Sequence, residues 1–245
     1  MPNALPSGVL VVDFGAQYAQ LIARRVREAS VYSEIVPSHI SVSEVKAKNP
    51  QAIILSGGPS SVYAENAPTF DGEILKLGIP VFGICYGFQA MAAALGGVVT
   101  KTGKSEFGRT QLQANESKLF KGVPLNQLVW MSHGDTIMEL PAEYEVIGST
   151  ESVRVAAFAN PNKPVFGIQF HPEVTHSTEG KQILKNFVVG VCGCSASWTS
   201  DSFVETTVAD LKAKLGDDKV VLGLSGGVDS SVAAVLLHKA IGKNL

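Results

Sequence analysis

One cysteine stands between two glycines, at the point where an apolar run gives way to a helical pattern. Residues 81–90 read VFGICYGFQA, so Gly83, Cys85 and Gly87 form a G-x-C-x-G motif. This is the thiol form of a nucleophile elbow, in which the reactive residue sits on a strained turn between a strand and a helix. The N-terminus of the following helix favours a thiolate and an anionic intermediate alike. The motif predicts that Cys85 is a nucleophile; a buried structural thiol is the alternative.

A cysteine nucleophile needs a base, and the best candidate is a histidine at the end of another apolar run. Residues 164–174 read PVFGIQFHPEV, in which Pro172 ends the predicted strand directly after His171. Glu173 can accept the proton on the far nitrogen of the imidazole, which leaves the near nitrogen to take the thiol proton. In α/β-hydrolases the acid precedes the histidine, and papain-like enzymes carry a different local signature, so the order Cys85, His171, Glu173 excludes both classes.

A glycine-rich turn supplies a third element. Residues 54–61 read ILSGGPSS, a predicted strand that runs into Gly57, Gly58 and Pro59. Glycine N–H groups in this turn, together with the N–H of Tyr86, are suited to form an oxyanion hole. Gly-Gly-Pro alone is more often an ordinary turn, but its predicted place beside the cysteine and the histidine favours the functional interpretation.

The fold that must position these residues is predicted to be α/β. Apolar runs at 8–15, 51–58 and 79–84 are each followed by a segment of helical period, which predicts βαβ units and a mostly parallel open sheet flanked by helices. Functional groups then gather beyond the carboxyl ends of the strands. Short strands joined by turns are expected between about 98 and 170, followed by a helix at 179–193.

We expect one domain at 8–194, a small polar linker at 195–202 and the start of a second domain at 203–245. The last segment reads as a helix, a strand at 219–224 and another helix. Such a set cannot close a core of its own, so it is predicted to be the truncated first part of an incomplete Rossmann-like βα unit.

Composition excludes several classes of function. The formal net charge is −2 and basic residues do not cluster, which argues against a nucleic-acid partner or an anionic membrane surface. Apolar runs fall far short of the ~20 residues that span a bilayer, and the expected location is the cytoplasm. Of the three cysteines, Cys192 and Cys194 are expected to be plain reduced thiols rather than a metal site.

Six segments together resemble the class I, triad-type glutamine amidotransferase family. They are DFGAQY (13–18), ILSGGPSSVY (54–63), PVFGICYGFQ (80–89), EFG (106–108), VWMSHGD (129–135) and GIQFHPEVTHS (167–177).

The resemblance implies a glutaminase that needs no cofactor. Cys85 would be the nucleophile, His171 the base and Glu173 the group that orients it. The oxyanion N–H groups would come from Gly58 and Tyr86. The implied glutamine-binding residues are Gln89, Ser132, His133 and Asp135. Ser105 departs from the arginine expected just before EFG, a departure that touches no catalytic position.

A second motif, SGGVDSS at 225–231, follows a predicted strand and opens a predicted helix, which is where phosphates bind. The motif has no lysine and is therefore not a Walker-type P-loop. Its glycines let main-chain N–H groups approach an anion, its serines donate hydroxyl protons, and Asp229 can hold Mg²⁺. A purely structural helix cap is the alternative.

Residues 223–242 resemble the start of an ATP pyrophosphatase domain, which implies that this loop grips the pyrophosphate of ATP. The residues implied are Ser225, Gly226, Gly227, Val228, Asp229, Ser230 and Ser231, with Mg²⁺ on Asp229 only in an intact synthetase domain.

An amidotransferase followed by an ATP pyrophosphatase is similar to the family of glutamine-hydrolysing GMP synthases. The similarity implies that the intact enzyme, expected to be a homodimer, uses ATP, Mg²⁺ and the ammonia from glutamine to aminate xanthosine monophosphate to GMP. Two alternatives stay open: a subunit of another triad-type amidotransferase, as for anthranilate or carbamoyl phosphate synthesis, and a catalytically idle interaction module.

Overall fold

The structure is a computed structural model that describes residues 8–15, 17–59, 61–103 and 105–245. The chain forms two compact units, and the division between them falls between Ala196 and Ser197. The predicted linker at 195–202 contains this division.

Within the described residues, the larger unit is built on a mixed sheet of nine strands and a small antiparallel sheet of two. In chain order the strands are β1 (Val9–Asp13), β2 (Ser33–Pro37), β3 (Ala52–Leu55), β4 (Val81–Ile84), β5 (Val98–Thr100), β6 (Glu106–Ala114), β7 (Asn126–His133), β8 (Thr136–Glu139), β9 (Glu145–Ser149), β10 (Ala157–Ala159) and β11 (Val165–Ile168).

The order across the large sheet is β2-β1-β3-β4-β11-β10-β9-β6-β7, and β5 pairs with β8. Its first five strands are mutually parallel, whereas the remaining pairings are antiparallel. The predicted open, mostly parallel sheet is therefore confirmed, together with the strand-rich segment that follows it. Parallel strands place their carboxyl ends along one edge, where a site can assemble.

Helices of the larger unit cover the sheet. They are α1 (Ala19–Glu28), α2 (Val42–Lys48), α3 (Tyr86–Ala94) and α4 (Gly180–Lys185), with a 3-10 helix at Gly72–Lys76 and a π-helical stretch at Asn186–Val191. The single helix predicted at 179–193 is thus a short α-helix, Gly180–Lys185, that continues as a π-helix, Asn186–Val191.

The strands of the parallel half are apolar at nearly every position because both of their faces are buried. In β1, Val9 and Val11 belong to the core cluster that includes residues of α1 and α4, whereas Leu10 and Val12 belong to the cluster that includes residues of α2 and α3. This alternation between two cores follows from the two-residue period of a strand.

The smaller unit contains helices α5 (Ser200–Leu215) and α6 (Val228–Ile241). The predicted strand at 219–224 is wrong, because these residues form no strand. A strand needs a partner to satisfy its main-chain groups. Here Val220 donates its N–H to the Asn244 carbonyl, while Val221 and Leu224 lie exposed.

Candidate active site

The predicted nucleophile lies on a strained turn. Cys85 connects β4 to α3 with φ 51° and ψ −106°, a backbone conformation that residues other than glycine rarely adopt. The flanking glycines are sterically required. A Cβ on Gly83 would lie 2.8 Å from the Gly87 carbonyl oxygen, and one on Gly87 would lie 2.4 Å from that of Leu55. The predicted elbow is therefore present.

His171 is brought to the elbow by the strand that pairs with β4. Strands β4 and β11 are parallel and in register, with Ile84 opposite Ile168, and the Cys85 N–H donates to the Ile168 carbonyl at 2.9 Å. A Cβ placed on Gly57 would meet both residues, at 3.2 Å from His171 Cε1 and 3.7 Å from Cys85 Cβ. The glycine turn, the cysteine and the histidine thus occupy one edge of the sheet.

Glu173 holds the far side of the imidazole. Its Oε1 lies 2.7 Å from His171 Nδ1, and both side chains are buried. Burial lowers the pKa of His171, but the Cys85 and Glu173 side chains outweigh it and raise that pKa from its ordinary 6.5 to about 11. The imidazole therefore keeps its proton at neutral pH in this environment.

The two predicted oxyanion donors lie against each other. A Cβ on Gly58 would come within 2.9 Å of the Tyr86 ring, and both residues line one cavity with Cys85. Tyr86 is the first residue of α3, where a main-chain N–H has no partner within the helix. Its hydroxyl donates to the Pro68 carbonyl at 2.6 Å, which fixes the ring.

The cavity has a volume of about 560 Å³, within the range of small-molecule sites. The predicted glutamine-binding residues all line it, as do several residues that the sequence analysis did not single out as binding residues. The lining residues are Gly58, Pro59, Ser61, Tyr63, Cys85, Tyr86, Gln89, Lys101, Phe107, Ser132, His133, Gly134 and Asp135.

The four predicted glutamine-binding residues also bond to the protein itself. The Ser132 carbonyl accepts from the Cys85 thiol at 3.6 Å, and Gln89 Nε2 donates to the Asp135 carbonyl at 2.9 Å. The Asp135 carboxylate accepts a bond from the Ser61 hydroxyl. Both ring nitrogens of His133 face protein oxygen atoms. Whether these residues hold glutamine stays a prediction.

Arg25 of helix α1 and Tyr18, the residue just before that helix, contact the His171–Glu173 pair and were not singled out from the sequence. The ring of Tyr18, which caps α1, lies with its centroid 5.3 Å from that of His171 in an edge arrangement. Arg25 donates from Nε to the Glu173 main-chain carbonyl at 2.9 Å. Tyr18 belongs to the DFGAQY segment, but no local signal marks Arg25. Ser105 is exposed and does not line the cavity.

In the smaller unit, the serine and glycine loop opens a helix as predicted. Helix α6 begins at Val228, and Gly226 has φ +80°, which favours glycine. The hydroxyls of Ser230 and Ser231 donate to the Gly227 carbonyl at 3.0 and 2.8 Å. The loop is largely exposed, and its role in binding ATP stays a prediction.

Cys192 and Cys194 carry free thiols beside each other. A hydrogen bond from the Cys192 thiol lowers the pKa of Cys194, while the same contact and burial raise that of Cys192. In the part of the chain that the structure describes, no three His, Cys, Asp or Glu residues form a group able to hold a metal ion. No helix among the described residues is long and apolar enough to cross a membrane.

Comparison with known proteins supports the resemblance to glutamine amidotransferases. Residues 10–191 match the family "Glutamine amidotransferase class-I", and residues 199–245 match the family "NAD synthase". The chain is 57% identical over 244 residues to "GMP synthase, glutamine-hydrolyzing" of Streptomyces coelicolor and 54% identical over 238 residues to that of Clostridium botulinum. These matches cover 99% and 97% of this chain but only 46% of each relative, so the chain spans less than half the length of these relatives.

Solved structures agree on the fold. A putative GMP synthase subunit from Thermoplasma acidophilum matches with a TM-score of 0.69 and 33% identity, over 76% of this chain and 93% of that one. A glutamine amidotransferase from Thermotoga maritima shares the fold at a TM-score of 0.60 and 21% identity, over 75% of this chain and 97% of that one. With most of its length matched by the family, the chain belongs to the class I glutamine amidotransferases.

Proposed function

We propose that the larger unit hydrolyses glutamine and that, in the whole protein, the ammonia released converts xanthosine monophosphate to GMP. One observation carries the first part: Cys85 lies on a strained elbow at a cavity, with the buried His171–Glu173 pair beside it. The second part is supported by the similarity to GMP synthases along nearly the whole chain.

The proposed reaction begins with attack by the thiolate of Cys85 on the side-chain amide carbon of glutamine. A C–S bond forms, and the negative charge that develops on the amide oxygen is stabilised by the N–H groups of Gly58 and Tyr86. The proton on His171 passes to the leaving nitrogen, the C–N bond breaks, and ammonia departs from a thioester. His171 then takes a proton from water, which hydrolyses the thioester to glutamate and frees Cys85.

Glu173 supports both proton transfers without exchanging a proton itself. It accepts from His171 Nδ1 and so keeps Nε2, the other ring nitrogen, available for transfer. Because both side chains are buried, water competes little for this hydrogen bond. Loss of the acceptor would free the ring to rotate or to change tautomer.

The smaller unit is proposed to begin the part that binds ATP, with Ser225–Ser231 around its pyrophosphate. The loop suits this role because it is exposed at the start of a helix, and Gly226 and Gly227 bring no side chains between main chain and ligand. Mg²⁺ is usually held by one or two carboxylates together with substrate phosphates, and the exposed Asp229 fits one such position. Bound Mg²⁺ would neutralise charge on the phosphates.

The proposal places the whole protein in the cytoplasm as a homodimer whose substrates are glutamine, ATP and xanthosine monophosphate. Ammonia is produced by the larger unit alone, because every residue given a role in glutamine hydrolysis lies before Ala196. Amination is proposed to need the remainder of a full-length protein.

The test is to incubate the purified 245-residue chain with glutamine, ATP, Mg²⁺ and xanthosine monophosphate, and to measure glutamate, ammonia, AMP and GMP together. We expect equal amounts of glutamate and ammonia without AMP or GMP. Absence of glutamate at high enzyme concentration would contradict the proposed glutaminase. GMP formed by this chain alone would contradict the proposed division of labour.

A further inference from the structure

A buried glutamate and histidine form a pair at the wall of the glutamine cavity. Glu106, at the start of β6, is the register partner of His133, at the end of β7. Glu106 Oε2 lies 3.2 Å from His133 Nε2, and the two side chains are only 7% and 2% exposed. His133 Nδ1 lies 2.9 Å from the Asp135 carbonyl oxygen.

The hydrogen-bond partners determine where the protons lie. A carbonyl oxygen only accepts, so His133 Nδ1 must carry a proton to bond to Asp135. A single proton then lies between His133 Nε2 and Glu106 Oε2, on whichever of the two atoms holds it. The other oxygen of Glu106 accepts from the Thr150 hydroxyl at 2.6 Å, and that hydroxyl accepts from the Val153 N–H at 3.0 Å. Both nitrogens of His133 are therefore engaged by the protein.

The Asp135 carbonyl, which accepts from His133, also connects the cavity wall to the helix that follows the elbow. The Asp135 carbonyl also accepts from Gln89 Nε2, and Gln89 lies one helical turn after Cys85, with its N–H donating to the Cys85 carbonyl at 3.2 Å. On the other side of the same turn, the Ser132 carbonyl faces the Cys85 thiol. The turn 132–135 is thus bonded to Gln89 of α3 and adjoins Cys85, the residue before that helix.

We propose that Glu106 and His133 are positioning residues, which act by holding the turn 132–135 against helix α3. In this proposal His133 itself is not a ligand of glutamine. Glu106 shares a proton with His133 Nε2 and so fixes the ring with its Nδ1–H directed at the Asp135 carbonyl. The Asp135 side chain and the Ser132 carbonyl then stay in place at the cavity. This inference rests on the proposed glutamine site.

Matched substitutions distinguish the role of His133 Nδ1 from that of His133 Nε2. In His133→Asn the side-chain nitrogen overlays Nδ1, so the bond to the Asp135 carbonyl is retained. In His133→Gln the side-chain nitrogen overlays Nε2 instead, and that bond is lost. Both variants are combined with Glu106→Gln, which avoids leaving a buried carboxylate without its partner. His39→Gln, at an exposed histidine, controls for the substitution itself.

Substitutions of the glutamate provide an independent arm. Glu106→Gln can accept from Thr150 and donate to His133 Nε2, so Nδ1 keeps its proton and we expect little change. Glu106→Leu removes the partner of Nε2, so the ring is held at one end only and can turn away from the Asp135 carbonyl. We expect this variant to resemble the His133→Gln combination.

The measurement is the rate of alkylation at Cys85 by a chloroketone analogue of glutamine, relative to the rate with iodoacetamide, read by mass spectrometry of the Cys85 peptide. We expect this ratio to fall roughly tenfold in Glu106→Leu and in the His133→Gln combination, the cost of one hydrogen bond, and to stay near wild type in the other variants. Circular dichroism and the melting temperature show whether each variant folds.

Three results would count against the inference. Wild-type ratios in all variants would show that the pair does not position the turn. An equal fall in both alkylation rates, with an unchanged ratio, would show that the pair supports Cys85 or the fold instead. A wild-type chain without preference for the glutamine analogue would contradict the proposed function itself, and the inference with it.

Discussion

Arg25 donates from Nε to the main-chain carbonyl of Glu173 at 2.9 Å, so helix α1 holds the residue that orients the histidine. Tyr18, two helical turns earlier, places its ring against His171. Residues seven apart lie on the same face of a helix, so one face of α1 contacts both members of the pair. A helix without a proposed catalytic residue therefore helps to position the base.

Substituting Arg25 tests this role. We expect Arg25→Met to lower kcat for glutamine hydrolysis roughly tenfold with little change in KM, because a charged donor to Glu173 is lost while the cavity is intact. Arg24→Met is the matched control. Arg24 pairs with the same Glu28, but its side chain is 73% exposed against 11% for Arg25. Equal kcat values in the two variants would contradict the role given to Arg25.

Loss of Glu173 should reduce the rate of glutamine hydrolysis less than loss of His171 does. We expect Glu173→Gln to reduce kcat by roughly one to two orders of magnitude less than His171→Ala does, because the amide keeps part of the geometry while the base stays present. Steady-state glutamate release measures both variants. A wild-type rate in Glu173→Gln would show that the carboxylate does not orient His171.

The raised pKa of His171 has a consequence for stability. The folded protein holds a proton on His171 that the unfolded chain releases above pH 6.5, so the stabilisation is complete below that pH and is lost as pH rises toward about 11. The free energy of unfolding of the wild type should therefore fall, relative to His171→Gln, between pH 7 and pH 10. Urea titrations at several pH values give this difference. A difference that stays constant or grows would be inconsistent with the raised pKa.

The smaller unit should be the less stable part of the chain. Helix α5 has no buried residue and α6 buries only Ala240, whereas every residue of Val81–Ile84 in β4 is buried. Local opening costs little where few apolar contacts are lost. Hydrogen exchange should be faster in α5 and α6 than in β4. Equal protection in a monomeric sample would contradict this expectation.

Local rules were sufficient to predict the elbow. Gly83 and Gly87 mark a turn too tight for a Cβ, and the apolar run before Cys85 is a strand buried on both faces. The strand that ends near His171 was recognised in the same way. Each of these signals lies within a few residues of the group that it positions.

Contacts set by distant pairing could not be predicted. Glu106 meets His133 only because β6 and β7 pair in one particular antiparallel register. Arg25 reaches Glu173 across 148 positions of the chain. The apolar pattern at 219–224 predicted a strand, but strand formation depends on a neighbouring strand that the sequence pattern does not supply.

The central claim, that Cys85 is the nucleophile, is tested most directly by glutamate release from purified variants of the 245-residue chain. We predict that Cys85→Ala loses activity by roughly a thousandfold or more, while a Cys192→Ala, Cys194→Ala double variant keeps a rate close to wild type. Activity retained in Cys85→Ala and lost in the double variant would contradict the account.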